Sequence, residues 1–334
     1  MMPVKHAIKR LGRIGLHQLG GLNSILWSSR TSFRILYYHR FSPSHFPNSQ
    51  AILSQQCEFL TRNFRVTPLS EIARALNAGA PVPPKTLAVT IDDGYRDILT
   101  DAFPVFDKWK IPVTAYLISD FLDGKLWPWW DQVSYAVKRT RRQSASIEIL
   151  GQVSELSLKT NAEKEAAIEQ LTERMKRVPN RSRLKALADL PHTLDVEIPK
   201  DAPGDDKALT WKEVRTLAES GMEFGAHTKT HPILPNVEDA AELQEEIGGS
   251  KARIEQELGR PVIHFSYPNG DWNDACDAVV QSCGFATAVT AEPGLNRPNP
   301  NRYQLKRLCL DLSLSSDYFR EQTAGMHLGQ QRPS

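Results

Sequence analysis

The segment Leu87-Ala88-Val89-Thr90-Ile91-Asp92-Asp93-Gly94 places two adjacent carboxylates at the end of an apolar run. Residues 87–91 are mostly apolar and are followed by an Asp-Gly turn signal, which predicts a buried β-strand. Two carboxylates side by side at the end of such a strand repel each other unless a positive charge lies between them. The segment therefore predicts a strand that ends at a cation-binding site.

A second segment, His227-Thr228-Lys229-Thr230-His231, supplies two imidazoles four residues apart. Pro232 disfavours a regular helix at His231, so the pair is expected in a turn. A histidine pair alone can be purely structural, but one carboxylate and two neutral imidazoles make a three-ligand metal set with open positions. That set suits zinc, with cobalt, nickel or iron as substitutes. The second carboxylate stays free to move protons, which indicates a hydrolase.

Composition narrows the class of protein. The chain has 334 residues, enough for one large core or two smaller ones. Its formal charge of +2 gives no support for a nucleic-acid partner that is bound by phosphate neutralisation. The four cysteines lack CxxC spacing, which favours small core residues over a disulfide frame or a zinc knot. With no export signal in the sequence, we expect a cytoplasmic protein.

The first residues have a distinct pattern. Within residues 1–24, basic side chains alternate with apolar ones at spacings of three and four, which predicts an amphipathic helix. The charges are too frequent for a membrane span. The helix either packs on the domain or contacts an anionic membrane surface peripherally. We assign residues 1–30 to this helix, 31–325 to a catalytic domain and 326–334 to a disordered tail.

Apolar runs alternate with helical patterns along most of the chain, which implies parallel strand pairing in an α/β barrel or a doubly wound sheet. In both folds the chemistry gathers at the C-terminal ends of the strands. Residues 121–207 interrupt the alternation and are interpreted as an insertion, with a helical pattern over 162–178 and a loop over 191–206. The strands are predicted at residues 33–39, 86–91, 113–118, 222–226, 262–267 and 285–290.

A third segment, Phe265-Ser266-Tyr267-Pro268-Asn269-Gly270-Asp271-Trp272, reads as a strand that ends in a Pro-Asn-Gly turn. It offers backbone N–H groups and aromatic faces beside the metal ligands. The tryptophans could form a stacking platform for sugar rings, although most tryptophans fill cores. They are Trp127, Trp129, Trp130 and Trp272.

Taken together, these three segments resemble the polysaccharide deacetylase family (NodB-homology, carbohydrate esterase family 4). The segments Ile35-Leu36-Tyr37-Tyr38-His39-Arg40, Trp129-Trp130-Asp131 and Glu292-Pro293-Gly294-Leu295-Asn296 resemble its exopolysaccharide-associated branch. The resemblance covers roughly residues 33–312, in the family's order. It implies an α/β fold, a distorted (β/α) barrel of about seven strands with a helical insertion.

The resemblance also implies roles for individual residues. A divalent metal, usually zinc, would be held by Asp93, His227 and His231. Asp92 stands at the position of the catalytic base, and the backbone N–H of Tyr267 at that of an oxyanion donor. We assign substrate binding to Trp130, Asp131, Pro268, Trp272 and Arg307.

Two features depart from the family pattern. The third motif usually carries an arginine that orients the base, and residues 265–270 contain none. The late motif usually supplies a histidine as general acid, whereas this chain has Arg307 there and no histidine. His39 and His264 are candidate proton donors, and Asp92 could carry the proton itself. We assign the role to His39.

The expected function is removal of the N-acetyl group from an N-acetylhexosamine, in a polysaccharide or its lipid-linked precursor. Such a reaction belongs to cell-envelope or exopolysaccharide synthesis. The basic cluster at residues 139–142 suits a diphosphate-lipid substrate at the inner membrane. Two alternatives remain: a deformylase or esterase acting on a related sugar, and a catalytically silent carbohydrate-binding protein.

Overall fold

A computed structural model describes residues 21–326 of the chain. Gly21–Ser28 is a helix, named α1. The part of the predicted N-terminal helix before residue 21, and the predicted tail beyond residue 326, lie outside the described residues.

The strands form a closed parallel barrel and a separate hairpin. Their bounds are β1 Arg34–Tyr38, β2 Arg65–Val66, β3 Thr86–Ile91, β4 Val113–Leu117, β5 Ser144–Ile149, β6 Gln152–Ser157, β7 Glu223–Ala226, β8 His264–Ser266, β9 Thr287–Pro293 and β10 Leu305–Cys309. Seven strands close the barrel in the order β1-β10-β9-β8-β7-β4-β3, with β3 pairing back to β1. The short β2 lies beside the start of β3, and β5 and β6 form the antiparallel hairpin.

Helices surround the barrel and build much of the insertion. A π-turn over Ile98–Ala102 leads into the helix Phe103–Lys108, and a second over Glu245–Gly249 joins the helix Ala240–Gln244 to the helix Ser250–Leu258. The remaining helices are α2 Ser49–Asn63, α3 Leu69–Asn77, α4 Phe103–Lys108, α5 Ser119–Leu122, α6 Trp129–Arg139, α7 Asn161–Met175, α8 Asn180–Leu194, α9 Trp211–Glu219, α10 Ala240–Gln244, α11 Ser250–Leu258, α12 Asp274–Ser282 and α13 Ser316–Ala324.

The barrel strands are buried on both faces because helices cover the outside and side chains fill the inside. All six residues of β3 are buried. Leu87, Val89 and Ile91 belong to the main core outside the barrel. Ala88 packs instead with Tyr116 and Leu305 in a smaller cluster of buried side chains. Alternate residues therefore point inward and outward, as the two-residue period of a strand requires.

The insertion between β4 and β7 has a core of its own, built from α6, the β5–β6 hairpin, α7 and α8. The hairpin was not predicted. The predicted loop over 191–206 was wrong at its start, because α8 continues through Pro191 to Leu194. It ends where Asp195 adopts a left-handed conformation with φ 54°.

The predicted fold class, a distorted barrel of about seven strands, is confirmed. Because all barrel pairings are parallel, the C-terminal ends of the strands meet at one rim. Tyr38 pairs with Ile91 there, and Ala226 pairs with both Leu117 and Phe265. No helix within residues 21–326 has the length and apolar character needed to cross a membrane.

Candidate active site

The rim brings the three predicted metal ligands together. Asp93, His227 and His231 are buried, and one potential ligand atom from each lies within 4.8 Å of the others. Asp93 Oδ1 is 3.5 Å from His227 Nε2 and 3.8 Å from His231 Nε2. Asp93 follows β3 and His227 follows β7, so two strand ends fix the spacing of the site.

Hydrogen bonding fixes the tautomer of His227. Its Nδ1 lies 2.7 Å from the carbonyl oxygen of Ser266, which can only accept a hydrogen bond. The proton is therefore on Nδ1, and the lone pair of Nε2 faces Asp93. Burial lowers the pKa of His227 to about 4 and lowers the pKa of His231 well below its ordinary value. Both imidazoles are neutral at neutral pH, as metal ligation requires.

Within residues 21–326, Asp93 forms ion-pair contacts only with His227 and His231, both neutral, so its carboxylate lacks a neutralising partner there. Burial, and then the charge of Asp92, raise the pKa of Asp93 well above its ordinary value. A divalent cation between Asp93 and the imidazoles would remove this cost. One carboxylate and two neutral imidazoles are a donor set that zinc accepts, so the residues fit the implied metal.

Asp92 has the opposite environment because Arg307 pairs with it. Nη1 and Nη2 of Arg307 donate to Oδ1 and Oδ2 of Asp92, both at 2.7 Å. Burial alone would raise the pKa of Asp92, but the charge and hydrogen bonds of Arg307 outweigh burial and hold it below its ordinary value. Nε of Arg307 also donates to the carbonyl oxygen of Thr290 at 2.8 Å.

These contacts correct the predicted role of Arg307. Its side chain is 1% exposed and its donors are already engaged, so it cannot also bind a substrate from solution. Instead, β10 supplies the arginine that is absent from the third motif. Nη2 also donates to Ser266 Oγ at 3.1 Å, so the side chain of Ser266 lies against the Asp92–Arg307 pair.

The predicted role of Tyr267 also needs correction. Its backbone N–H donates to the carbonyl oxygen of Val289 at 3.1 Å, continuing the ladder between β8 and β9. Its side chain is fully buried and packs edge-on against Phe265, with ring centroids 5.2 Å apart. Because this N–H is part of the barrel, it is not available to hold an oxyanion.

His39 lies at the rim next to Asp92. The Asp92 N–H donates to the carbonyl oxygen of Tyr38 at 2.9 Å, which sets His39 beside Asp92 on the neighbouring strand. Burial lowers the pKa of His39, against an upward pull from Asp92. His264 instead starts β8 and contacts Thr287 Oγ1 at 2.7 Å, at the start of β9. That position is at the opposite end of the strands and does not suit a proton donor.

Trp130 supports the metal site from the insertion. Its ring packs edge-on against the ring of His231, with centroids 4.5 Å apart, and its Nε1 donates to Tyr95 Oη at 3.1 Å. Tyr95 Oη donates in turn to Asp131 at 2.6 Å, and the guanidinium of Arg40 stacks 3.6 Å above the Tyr95 ring. Burial raises the pKa of Asp131 to about 6. Trp130 and Asp131 thus belong to a network behind His231.

A cleft of about 430 Å³ lies between the insertion and the rim. Trp272 lines this cleft, whereas Trp127 and Trp129 are buried in the core, so the suggested platform of four tryptophans does not form. Pro268 is also buried, in the turn that leads to Trp272. The cleft is lined by Lys176, Arg177, Ile233, Pro235, Asn236, Gly270, Asp271 and Trp272.

Sequence reasoning missed two residues of this site. Ser266 belongs to the third segment, and Tyr95 directly follows Asp92-Asp93-Gly94, so both adjoin segments already singled out. Their position beside those segments is the sequence signal that could have identified them. Their pairings with Arg307 and Asp131, which are distant in sequence, could be found only from the fold.

The chain resembles known proteins in sequence and in fold. The family model described as polysaccharide deacetylase matches residues 79–288, well over half of the chain. YxkH of Bacillus subtilis (strain 168), whose name places it among the polysaccharide deacetylases, is 25% identical over 116 residues. That alignment covers 35% of this chain and 41% of YxkH, so it spans less than half of the relative.

Solved structures share the fold at low identity. The Streptococcus pyogenes deacetylase PplD, in complex with acetate, superposes with a TM-score of 0.56 at 18% identity, covering 87% of this chain and 98% of its own. IcaB from Ammonifex degensii gives a TM-score of 0.56 at 18% identity, covering 89% and 97%. The BpsB deacetylase domain from Bordetella bronchiseptica gives 0.52 at 18% identity, covering 84% and 96%.

Proposed function

The chain belongs to the polysaccharide deacetylase family, and from that premise we propose that it removes the N-acetyl group from an N-acetylhexosamine. The substrate is a polysaccharide or its lipid-linked precursor in envelope or exopolysaccharide synthesis. One observation carries the proposal. A carboxylate kept ionised by Arg307 lies beside a buried set of one carboxylate and two neutral imidazoles.

The ligands Asp93, His227 and His231 would hold a divalent metal, which we propose to be zinc, with cobalt, nickel or iron as substitutes. When bound, such an ion polarises the amide carbonyl and lowers the pKa of water toward ~7. The protein contributes the fixed spacing of the ligands and the Nδ1–H bond that orients His227.

Asp92 is the proposed general base. Its Oδ2 lies 4.0 Å from His227 Nε2 and accepts a hydrogen bond from Nη2 of Arg307 at 2.7 Å, so the oxygen held by Arg307 also faces the ligand set. The carboxylate takes a proton from the attacking water as the amide carbonyl is attacked. General base catalysis of this kind contributes roughly 10²–10⁴-fold to the rate.

Breaking the C–N bond requires a proton on the departing amine. We propose that His39, which borders Asp92 at the rim, relays to the amine the proton that Asp92 takes from water. The proton that Asp92 accepts equals the proton that the amine needs, so Asp92 could also deliver it directly. The products are acetate and the free amino sugar.

The cleft beside the rim is the proposed sugar site. Trp272 offers an aromatic face to a sugar ring, while Lys176 and Arg177 bring positive charge from the end of α7. Both cations also pair with Glu173, at 2.7 and 3.6 Å, so the charge offered to a substrate is moderated. These features support a sugar substrate and leave its linkage to experiment.

Peripheral contact with the cytoplasmic face of the inner membrane, through residues 1–24, is part of the proposal. Just beyond that range, Trp27 is 65% exposed on α1 and the Arg30 guanidinium lies 4.0 Å from its ring centroid. An exposed tryptophan beside a cation suits a membrane–water interface. Co-sedimentation of the protein with anionic but not zwitterionic vesicles would support the contact. Failure to co-sediment with either kind of vesicle would contradict it.

The test of the proposed activity is acetate release from soluble and lipid-linked N-acetylhexosamines, with and without chelator. We expect chelator-sensitive acetate release, and a loss of about 100-fold or more in Asp92→Asn. Asp107→Asn, an exposed carboxylate paired with Lys110, is the matched control. Release of formate, or cleavage of esters alone, would redirect the assignment to the deformylase or esterase alternative. Sugar binding without any product would indicate a silent binding protein.

A further inference from the structure

The loop that joins the two histidine ligands has an unfavourable backbone. Thr228 and His231 have φ values of 66° and 57°, in the left-handed region that residues with a side chain rarely adopt, least of all a β-branched one. Thr228 Oγ1 donates to the carbonyl oxygen of His227 at 2.6 Å and accepts the His231 N–H at 3.0 Å. Such a conformation persists only when its surroundings fix it.

One side of this loop is fixed by backbone groups. The N–H groups of Ser119 and Asp120, at the start of α5, donate to the carbonyl oxygens of Thr228 and Lys229 at 3.2 and 3.0 Å. These bonds fix the carbonyl groups of the loop but leave its own N–H groups to other partners.

The other side is fixed by one buried carboxylate. Glu246 is 6% exposed, and its Oε2 accepts the backbone N–H groups of Lys229 and Thr230, both at 2.9 Å. Its Oε1 accepts Thr230 Oγ1 at 2.6 Å. All three partners are donors, so the ionised carboxylate is the form that the loop recognises. Hydrogen bonds to an ionised group are the stronger kind.

A local distortion of the helix accompanies this contact. Glu246 lies in the π-turn Glu245–Gly249, where the extra residue rotates the following side chains by roughly 100° relative to a regular α-helix. Glu245, the adjacent residue, is 63% exposed and pairs with Lys229 Nζ at 2.6 Å. The two neighbouring glutamates thus contact the same loop, one from the interior and one from the surface.

We infer that Glu246 is a positioning residue for the metal ligands. Its carboxylate holds the backbone of residues 229–230, and thereby sets the separation of His227 and His231 that a divalent cation requires. The inference rests on the proposed function, because it concerns the same metal site. It predicts that Glu246 affects the affinity for metal without touching the metal or the substrate.

The test compares Glu246→Gln with Glu245→Gln in the full chain. The first variant keeps the size of the side chain but removes the charge and sets an amide NH₂ against N–H donors. We expect its affinity for zinc, measured by competition with a chromophoric chelator, to fall about 10–100-fold. The visible spectrum of the Co²⁺-loaded protein should change as the ligand geometry relaxes. Glu245→Gln should match the parent protein in both measurements.

The outcomes separate this inference from the proposed function. If the parent protein binds neither zinc nor Co²⁺, the metal-dependent function fails and the inference with it. If the parent binds metal and a folded Glu246→Gln binds it with the same affinity and spectrum, only the inference is overturned. If Glu246→Gln does not fold, Thr230→Val removes just the hydroxyl that Oε1 accepts. Weaker zinc binding by that variant supports the inference, and unchanged binding contradicts it.

Discussion

At the residue scale, Asp92 and Asp93 are neighbours in sequence but lie in opposite electrostatic environments. Arg307 outweighs the burial of Asp92 and holds its pKa low, whereas burial and the adjacent charge raise the pKa of Asp93. Paired acids acquire different roles when their surroundings separate their proton affinities in this way. The arginine therefore does for Asp92 what a bound cation would do for Asp93.

Arg307→Gln should move the acidic limb of the kcat/KM profile to higher pH. Removing the guanidinium leaves burial to raise the pKa of Asp92, so the base becomes protonated at a pH where the parent enzyme is still active. We expect the loss of activity relative to the parent protein to grow as the pH falls, because the variant's base is protonated at a pH where the parent's base is still ionised. The measurement is the pH profile at saturating zinc.

The control for this prediction is Arg302→Gln, in the loop before β10. The Arg302 guanidinium donates to Tyr303 Oη at 2.7 Å and does not pair with Asp92 or Asp93. Its profile should match that of the parent protein. An unchanged acidic limb in Arg307→Gln, with the fold intact, would show that the pair does not set the protonation of Asp92.

Sequence patterns located those site residues that lie at the end of a predicted strand or at a fixed spacing from one another. Asp92, Asp93, His227 and His231 stand out because strand ends and the four-residue interval can be recognised locally. The partner of Asp92 could not be found in this way, because Arg307 lies 215 residues away. Tyr267 was misassigned because its N–H still belongs to the β8–β9 ladder, one residue beyond the end of β8.

At the element scale, the predicted strands were those with apolar sequences. The segment of β10, Leu305–Cys309, was missed because Lys306 and Arg307 interrupt its apolar pattern. Arg307 is nevertheless buried, because a carboxylate compensates its charge there. The β5–β6 hairpin was missed because its turn is Leu150-Gly151, both with positive φ, rather than the usual Asn-Gly signal.

The turn after β8 depends on one glycine. Gly270 has φ +75°, and a Cβ there would lie 2.1 Å from the backbone nitrogen of Ala291 in β9. Because the colliding atom is backbone, the turn or the strand must shift. Gly270→Ala should therefore destabilise the protein by roughly 2–4 kcal/mol in urea unfolding, from strain and overpacking together.

Gly259→Ala is the matched control, because Gly259 also has positive φ (+63°) but faces open space at the end of α11. There only the backbone strain applies, and we expect a loss of about 1 kcal/mol. Equal losses of unfolding free energy in the two variants would mean that the close approach to Ala291 does not contribute to the destabilisation.

At the scale of the whole molecule, the insertion completes a site that the barrel begins. The barrel strands supply the acids, one histidine and the arginine, while α6 brings Trp130 against His231. The end of α7 closes one wall of the cleft, and Asn236 Nδ2 donates to the carbonyl oxygen of Lys176 at 2.8 Å across that junction. Binding of a ligand at the rim should therefore stabilise both the barrel and the insertion.

Zinc should stabilise the whole protein, because only the folded chain assembles three ligands from two distant segments. Zinc at 100 times its Kd adds about 2.7 kcal/mol to the free energy of unfolding, measured as a rise in Tm that chelator reverses. His227→Gln should abolish the rise, and His192→Gln, an exposed position on α8, should keep it.

Because burial lowers the pKa of His227 to about 4, this imidazole stays neutral at pH 6, where an ordinary histidine is largely protonated. At zinc concentrations that outcompete the proton on Asp93, whose pKa burial raises, the rise in Tm should therefore persist at pH 6. Its loss between pH 7 and pH 6 at such saturating zinc would contradict the neutral imidazoles.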